Sequence, residues 1–194
     1  MFGGHNVDAM PREQQCRAFL NVFYPDSETV YVSPKNVYPL DKSLDSYSEE
    51  SSNGIFFDKK YSTPIPKSVC VDLIVNKDCK NLLVKMGDNP LSFCRFESDL
   101  DSKEEQVKQV VRAFENWEYF RDNLACVLDS GGRSIHSVVR VTQPTDSNKK
   151  YITVTGVENY FHSNDLALGR FFEQFIRIAG SVRPRGAVTL LYLK

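Results

Sequence analysis

Two strand-like runs, the apolar 124–128 and the β-branched-rich 135–142, are joined through Ser130-Gly131-Gly132-Arg133, and this segment constrains the fold more tightly than any other. The glycines permit positive φ between the runs, so the segment is predicted to be an antiparallel hairpin. Side chains alternate between the faces of a strand, which puts Ser134, His136, Val138 and Arg140 on one face. The same glycines would let a ligand approach backbone N–H groups, and Arg133 adds a guanidinium fork suited to phosphate.

About forty residues earlier, Phe96-Glu97-Ser98-Asp99 closes another strand-like run, 91–97. Glu97 and Asp99 are two residues apart, so they share a face if the extended conformation persists. Two such carboxylates can hold a pair of divalent ions about 3.5–4 Å apart, the arrangement phosphoryl transfer uses. Spacing alone leaves another reading open: Glu97, Asp99 and Asp101 as a solvated acidic turn that complements the dipole of a following helix. A single strand histidine such as His136 is likewise often a structural residue.

Around these segments the pattern alternates short strands with a few helices. Pro11 opens a helix over 11–23 carrying Cys16, Phe19, Leu20 and Phe23, and 30–32 reads as a strand. Serines and acids mark 40–54 as an exposed, mobile loop, and the irregular stretch extends to 66. Strands are predicted at 54–58 and 69–76, separated by the turn or extended segment Thr63-Pro64-Ile65-Pro66. Ser102 with Glu105 forms a capping box ahead of Val107, Val110, Val111, Phe114 and Trp117, which define a helix. A strand is expected at 151–154. Leu168, Phe171, Phe172, Phe175 and Ala179 then mark a helix ended by Gly180, and 188–193 forms a last strand.

A chain of 194 residues suits one substantial core, so residues 1–194 are read as a single domain with a mobile loop at 40–66. The net charge of −1 gives no whole-molecule attraction to nucleic acid, and a polyanion must be held by a local basic patch. Arginines 170, 177, 183 and 185 with Lys194 make the C-terminal end the better candidate. Cys16, Cys70, Cys79, Cys94 and Cys126 form no C-x-x-C pair and are expected to be buried free thiols in a reducing compartment. No apolar run approaches the roughly 18 residues of a membrane span, and residues 1–5 lack the character of a signal peptide. A cytosolic protein without a membrane partner is expected.

Phe-Glu-Ser-Asp, the acidic Gln-containing segment Ser102-Lys103-Glu104-Glu105-Gln106, and Val-Leu-Asp-Ser-Gly-Gly-Arg-Ser-Ile-His together resemble the primase-polymerase domains of the archaeo-eukaryotic primase superfamily, particularly phage and plasmid forms. The segment from Phe175-Ile176-Arg177 to Leu193 is similar to the Arg-containing closing segment of that group, and the resemblance spans roughly residues 13–193. It implies an α/β (α+β) domain with an RRM-like mixed or antiparallel sheet, flanking helices, and the acids and histidine on one face. It further implies catalysis by Glu97, Asp99 and His136, and nucleotide contacts from Arg133, Ser134, His136 and Arg177. Two Mg²⁺ or Mn²⁺ ions would be held by Glu97, Asp99 and a third acid, Asp165, with Glu158 as the fallback. Asp165 as a helix N-cap stays open as an alternative.

The activity so implied is DNA primase, or primase-polymerase: template-directed nucleotidyl transfer making primers on single-stranded DNA in phage or plasmid replication. Its partners would be the template, nucleoside triphosphates and a separately encoded replicative helicase, in the cytoplasm of the cell or of the host. One alternative is a catalytically inactive replication-initiation or single-strand-binding module of the same fold. A metal nuclease sharing the acidic pair ranks last, since it has no evident need for Gly-Gly-Arg-Ser-x-His.

Overall fold

In a computed structural model the fold is described for residues 7, 10–33, 62–77, 79, 82–89, 92–98, 100–141 and 175–194. The readings placed on 40–58 and 151–154, and those for Asp99, Glu158 and Asp165, lie outside these residues.

The apolar spacing that begins after Pro11 forms helix α1, Arg12–Phe23, burying Cys16, Phe19, Leu20 and Phe23. Thr29–Ser33 (β1) follows as predicted. Thr63–Pro66 (β2), the end of the stretch read as a loop, is a strand pairing with β1, where Ile65 is buried and the two prolines are exposed. Prolines suit this position because β2 lies at a sheet edge, where missing N–H donors cost no ladder bonds.

The run read as a strand at 69–76 is instead helix α2, Lys67–Val75. Its buried residues, Cys70, Val71, Leu73 and Ile74, fall at i, i+1, i+3 and i+4, so the burial follows the helical period despite the β-branched content. Arg12 donates from Nη2 to Ile74 O at 2.6 Å and from Nη1 to Val75 O at 3.3 Å, satisfying carbonyls that the end of α2 leaves open.

Leu83–Lys85 (β3) and Phe93–Glu97 (β4) precede helix α3, Lys103–Asn116, whose Ser102 Oγ accepts from Glu105 N at 3.1 Å as the capping pattern requires. After the short helix Glu118–Asn123 (α4), Leu124–Asp129 (β5) and Ile135–Arg140 (β6) form the predicted antiparallel hairpin. Phe175–Arg177 (β7) replaces the end of the predicted 168–179 helix. Ile176 and Ile178 are fully buried while Arg177 is partly exposed, a period of two that suits a strand better than a helix. Val182–Arg183 (β8), Gly186–Ala187 (β9) and Thr189–Leu193 (β10) complete the chain.

The described strands form two four-stranded sheets, ordered β2-β1-β3-β7 and β10-β5-β6-β4, plus the β8–β9 ribbon, and every described pairing is antiparallel. Among the described residues the result is an α+β protein of antiparallel sheets. The β10-β5-β6-β4 sheet divides two cores. On one face Cys94, Phe96, Val127, Ile135 and Val139 pack with Val110 and Ala113 of α3 and Phe120 of α4. On the other, Cys126, Leu128, Val138 and Leu190 join the larger core built from α1, α2 and the first sheet. All five cysteines are buried and free. No helix among the described residues is long and apolar enough to cross a membrane.

Candidate functional site

Strand alternation explains how charged groups gather on one face. In β4, Cys94 and Phe96 point to the helix side, so Arg95 and Glu97 point the other way, and the ladder sets Glu97 directly opposite His136 of β6. His136 Nε2 lies 3.6 Å from Glu97 Oε1, and the Ser134 hydroxyl donates to that same oxygen. Arg95 Nη2 approaches the other carboxylate oxygen at 4.0 Å, while Arg95 Nη1 donates to Phe175 O of β7 at 3.4 Å. The contact links the β4 edge of one sheet to the β7 edge of the other.

The electrostatics follow from this packing. The facing His136 imidazole, helped by the Ser134 hydroxyl and Arg95, holds the Glu97 carboxyl down to about 2 against the opposing effect of burial. His136 is pushed below the usual histidine range, first by burial and further by Arg95 and Arg177, although Glu97 pulls the other way. At neutral pH the site therefore pairs an anionic carboxylate with a neutral imidazole. His136 Nδ1 is buried and finds no hydrogen-bond partner among the described residues. Glu97 keeps 30% of its side chain exposed against 7% for His136, so the carboxylate faces solvent and the imidazole lies beneath it.

The turn carrying Arg133 and Ser134 is fixed from several directions. Asp129 Oδ1 accepts from Gly131 N at 2.8 Å, and both its oxygens receive Lys103 Nζ at 2.7 Å, tying the turn to the start of α3. Gly131 has φ +64, and a Cβ there would lie 2.4 Å from Gly186 O, so the β8–β9 ribbon occupies the close approach that the glycine permits. At Gly132 a Cβ would lie 2.9 Å from Arg183 Nη1, which donates to Ser130 O at 3.0 Å. Packing of the ribbon's backbone thus explains Gly131 without a ligand, whereas at Gly132 the neighbour is the movable end of the Arg183 side chain. It also gives Arg183 a structural contact.

The sequence-predicted residues divide into three groups. Glu97, Ser134 and His136 touch. Arg133 lies exposed on the adjoining turn, and Arg177, on β7, is close enough to depress the histidine. Asp99 and Asp165 lie outside the described residues. Sequence reasoning missed Arg95, although a charged residue two before Glu97 in an otherwise apolar strand shares that residue's face. Glu97, ionised and partly exposed, offers the hard oxygen donor that Mg²⁺ or Mn²⁺ prefers. Among the described residues no group of three or more His, Cys, Asp or Glu side chains gathers to hold a metal.

Fold and site together define an α+β protein of antiparallel sheets with a half-buried carboxylate–hydroxyl–imidazole cluster at one sheet end. The sequence matches no protein-family model and no curated protein.

Proposed function

We propose that the chain is a template-directed nucleotidyltransferase, a DNA primase or primase-polymerase of the archaeo-eukaryotic type, making primers on single-stranded DNA. The observation that carries this reading is the convergence of Glu97, Ser134 and His136: residues 37 and 39 apart in sequence meet across one pair of strands, in the grouping the motif resemblance implies.

Glu97 with Asp99, and Asp165 as third acid, would hold Mg²⁺ or Mn²⁺. When bound, the ions would favour loss of the proton from a primer 3′-hydroxyl and neutralise the leaving pyrophosphate. The chain's own residues prepare that chemistry. His136 and Ser134 keep Glu97 ionised and fix the direction of its oxygens. Arg133, exposed on the turn next to Ser134, would grip triphosphate oxygens bidentately, and Arg177 would add positive charge from β7. A proton on His136 Nε2 suits the carboxylate facing it, which leaves Nδ1 as a buried acceptor.

A second reading, a binding module of the same fold without catalysis, is favoured by one feature: Glu97 is already engaged by Ser134, His136 and Arg95, as a structural carboxylate would be. Titration of Mn²⁺ in the presence of a nucleoside triphosphate separates the two. Metal-dependent triphosphate binding that disappears in His136→Ala supports the enzyme. Metal-independent, steeply salt-sensitive binding to single-stranded DNA supports the module.

A further inference from the structure

Helix α3 buries four residues in one stripe, Gln106, Gln109, Val110 and Ala113, and two of them are glutamines. Buried amides are retained where each polar atom has a partner, and here the partners are informative. Gln106 Nε2 donates to Leu100 O at 2.5 Å and to Arg133 O at 3.0 Å, while its Oε1 accepts from Ile135 N at 2.7 Å. All three groups belong to the backbone of segments leading out of β4 or into β6. Gln109, less than a turn along, accepts from the Ser98 hydroxyl at 2.5 Å, and Ser98 N donates to Ile135 O at 3.1 Å.

These bonds bracket the cluster. Ser98 follows Glu97, Ser98 and Leu100 flank Asp99 in sequence, and Arg133 and Ile135 flank Ser134. Lys103, a turn before Gln106, reaches Asp129 at the other end of the same turn. We infer that Gln106, assisted by Gln109, is the positioning residue of this site, holding the strand end that bears Glu97 and the turn that bears Arg133 and Ser134 at one fixed separation. The amide is suited to the task because it satisfies two carbonyls and one N–H from two segments with a single rigid group, and carries no charge that would compete for the carboxylate. The inference rests on the proposed function only in naming what the geometry serves.

The test uses the full chain with Gln106→Met, which keeps the side chain's length and removes its three hydrogen bonds, beside Val110→Ala as a destabilising change in the same buried stripe. Amide exchange and the ring resonances of His136 at fixed neutral pH are read by NMR. Loss of the bond to Ile135 is expected to accelerate that amide by about tenfold beyond any global change. The His136 resonances are expected to shift in Gln106→Met and to stay at their wild-type positions in Val110→Ala. In nucleotide transfer, kcat is expected to fall by about 10–100-fold, as for other groups that orient catalytic ligands, with KM near wild type.

His136 resonances unchanged in folded Gln106→Met, even with faster exchange at Ile135, would make Gln106 a packing residue and overturn the inference. If the methionine variant does not fold, Gln106→Glu, which keeps the shape and loses donors, is judged by the same resonances. An inactive wild-type protein would remove the proposed function and leave the NMR comparison to decide the positioning role.

Discussion

The two faces of the β10-β5-β6-β4 sheet share the same backbone and bury opposite chemistry. Toward α3 and α4, Cys94, Phe96, Val127, Ile135 and Val139 form an uncharged, mainly apolar layer that includes buried Ser137 and is edged by Gln106 and Gln109 with their amides bonded. Toward the first sheet, apolar Cys126 and Val138 give way at the β4–β6 end to Arg95, Glu97 and His136. Buried charge is costly and seldom adds stability over apolar residues of similar volume. The helix-facing layer is thus the sort of surface folding alone requires, and the polar end of the opposite face departs from it in the way functional sites do.

Substituting across this divide separates folding from function. Phe96→Ala, in the helix-facing layer, is expected to lose about 3–5 kcal/mol in urea unfolding. Triphosphate binding per folded molecule should stay at the wild-type level. If binding is lost as well, the two faces are not independent.

The pH dependence of stability tests the polar face next. Burial holds folded His136 below its ordinary 6.5, so as pH falls through 6.5 the unfolded chain takes up a proton that the folded chain refuses, and stability drops. Glu97, held at about 2 in the fold, stays ionised while its unfolded counterpart titrates near 4.5, so its contribution is present above 4.5 and is lost as pH falls toward 2. In unfolding measured from pH 8 downward, His136→Gln should abolish the first loss and shrink the second.

Single hydrogen bonds give the finest comparison. Ser134→Ala removes a bond to a carboxylate at a partly exposed position and is expected to cost about 1.5 kcal/mol while raising the Glu97 titration midpoint. Ser102→Ala removes the α3 cap, costs about 1 kcal/mol, and should leave that midpoint unmoved. A shift in the second variant would mean that the helix end controls the site electrostatically.

The hairpin at 124–140 and the α3 cap were legible in the sequence because both depend on local chemistry: glycines at a turn, and a serine three residues ahead of a glutamate. The pairing of Glu97 with His136 followed from motif resemblance, since no local rule specifies which strands become neighbours. The α2 segment was misread because β-branched residues in a short buried run satisfy strand and helix equally, and its context decided between them. At 168–179 the aromatic spacing fits a helix, whereas Ile176, Arg177 and Ile178 obey the alternation imposed by pairing with β3. Gln106 entered only as part of a motif and Gln109 not at all, because apolar periodicity passes over amides, although both extend the 110/113 stripe at helical spacing. The glycines were read as making room for a ligand, and the room at Gly131 is filled by a ribbon more than fifty residues away.

The central claim is that Glu97, placed beside Ser134 and His136, serves nucleotidyl transfer. It is tested most directly by primer synthesis on unprimed single-stranded DNA with Mg²⁺ or Mn²⁺, supplying ribo- and deoxyribonucleotides separately and comparing the wild-type protein with Glu97→Ala at matched folded concentration. The account predicts metal-dependent products from the wild type with at least one nucleotide class, and none from the variant. Equal synthesis by both proteins, or no product from folded wild type with either metal, would contradict it.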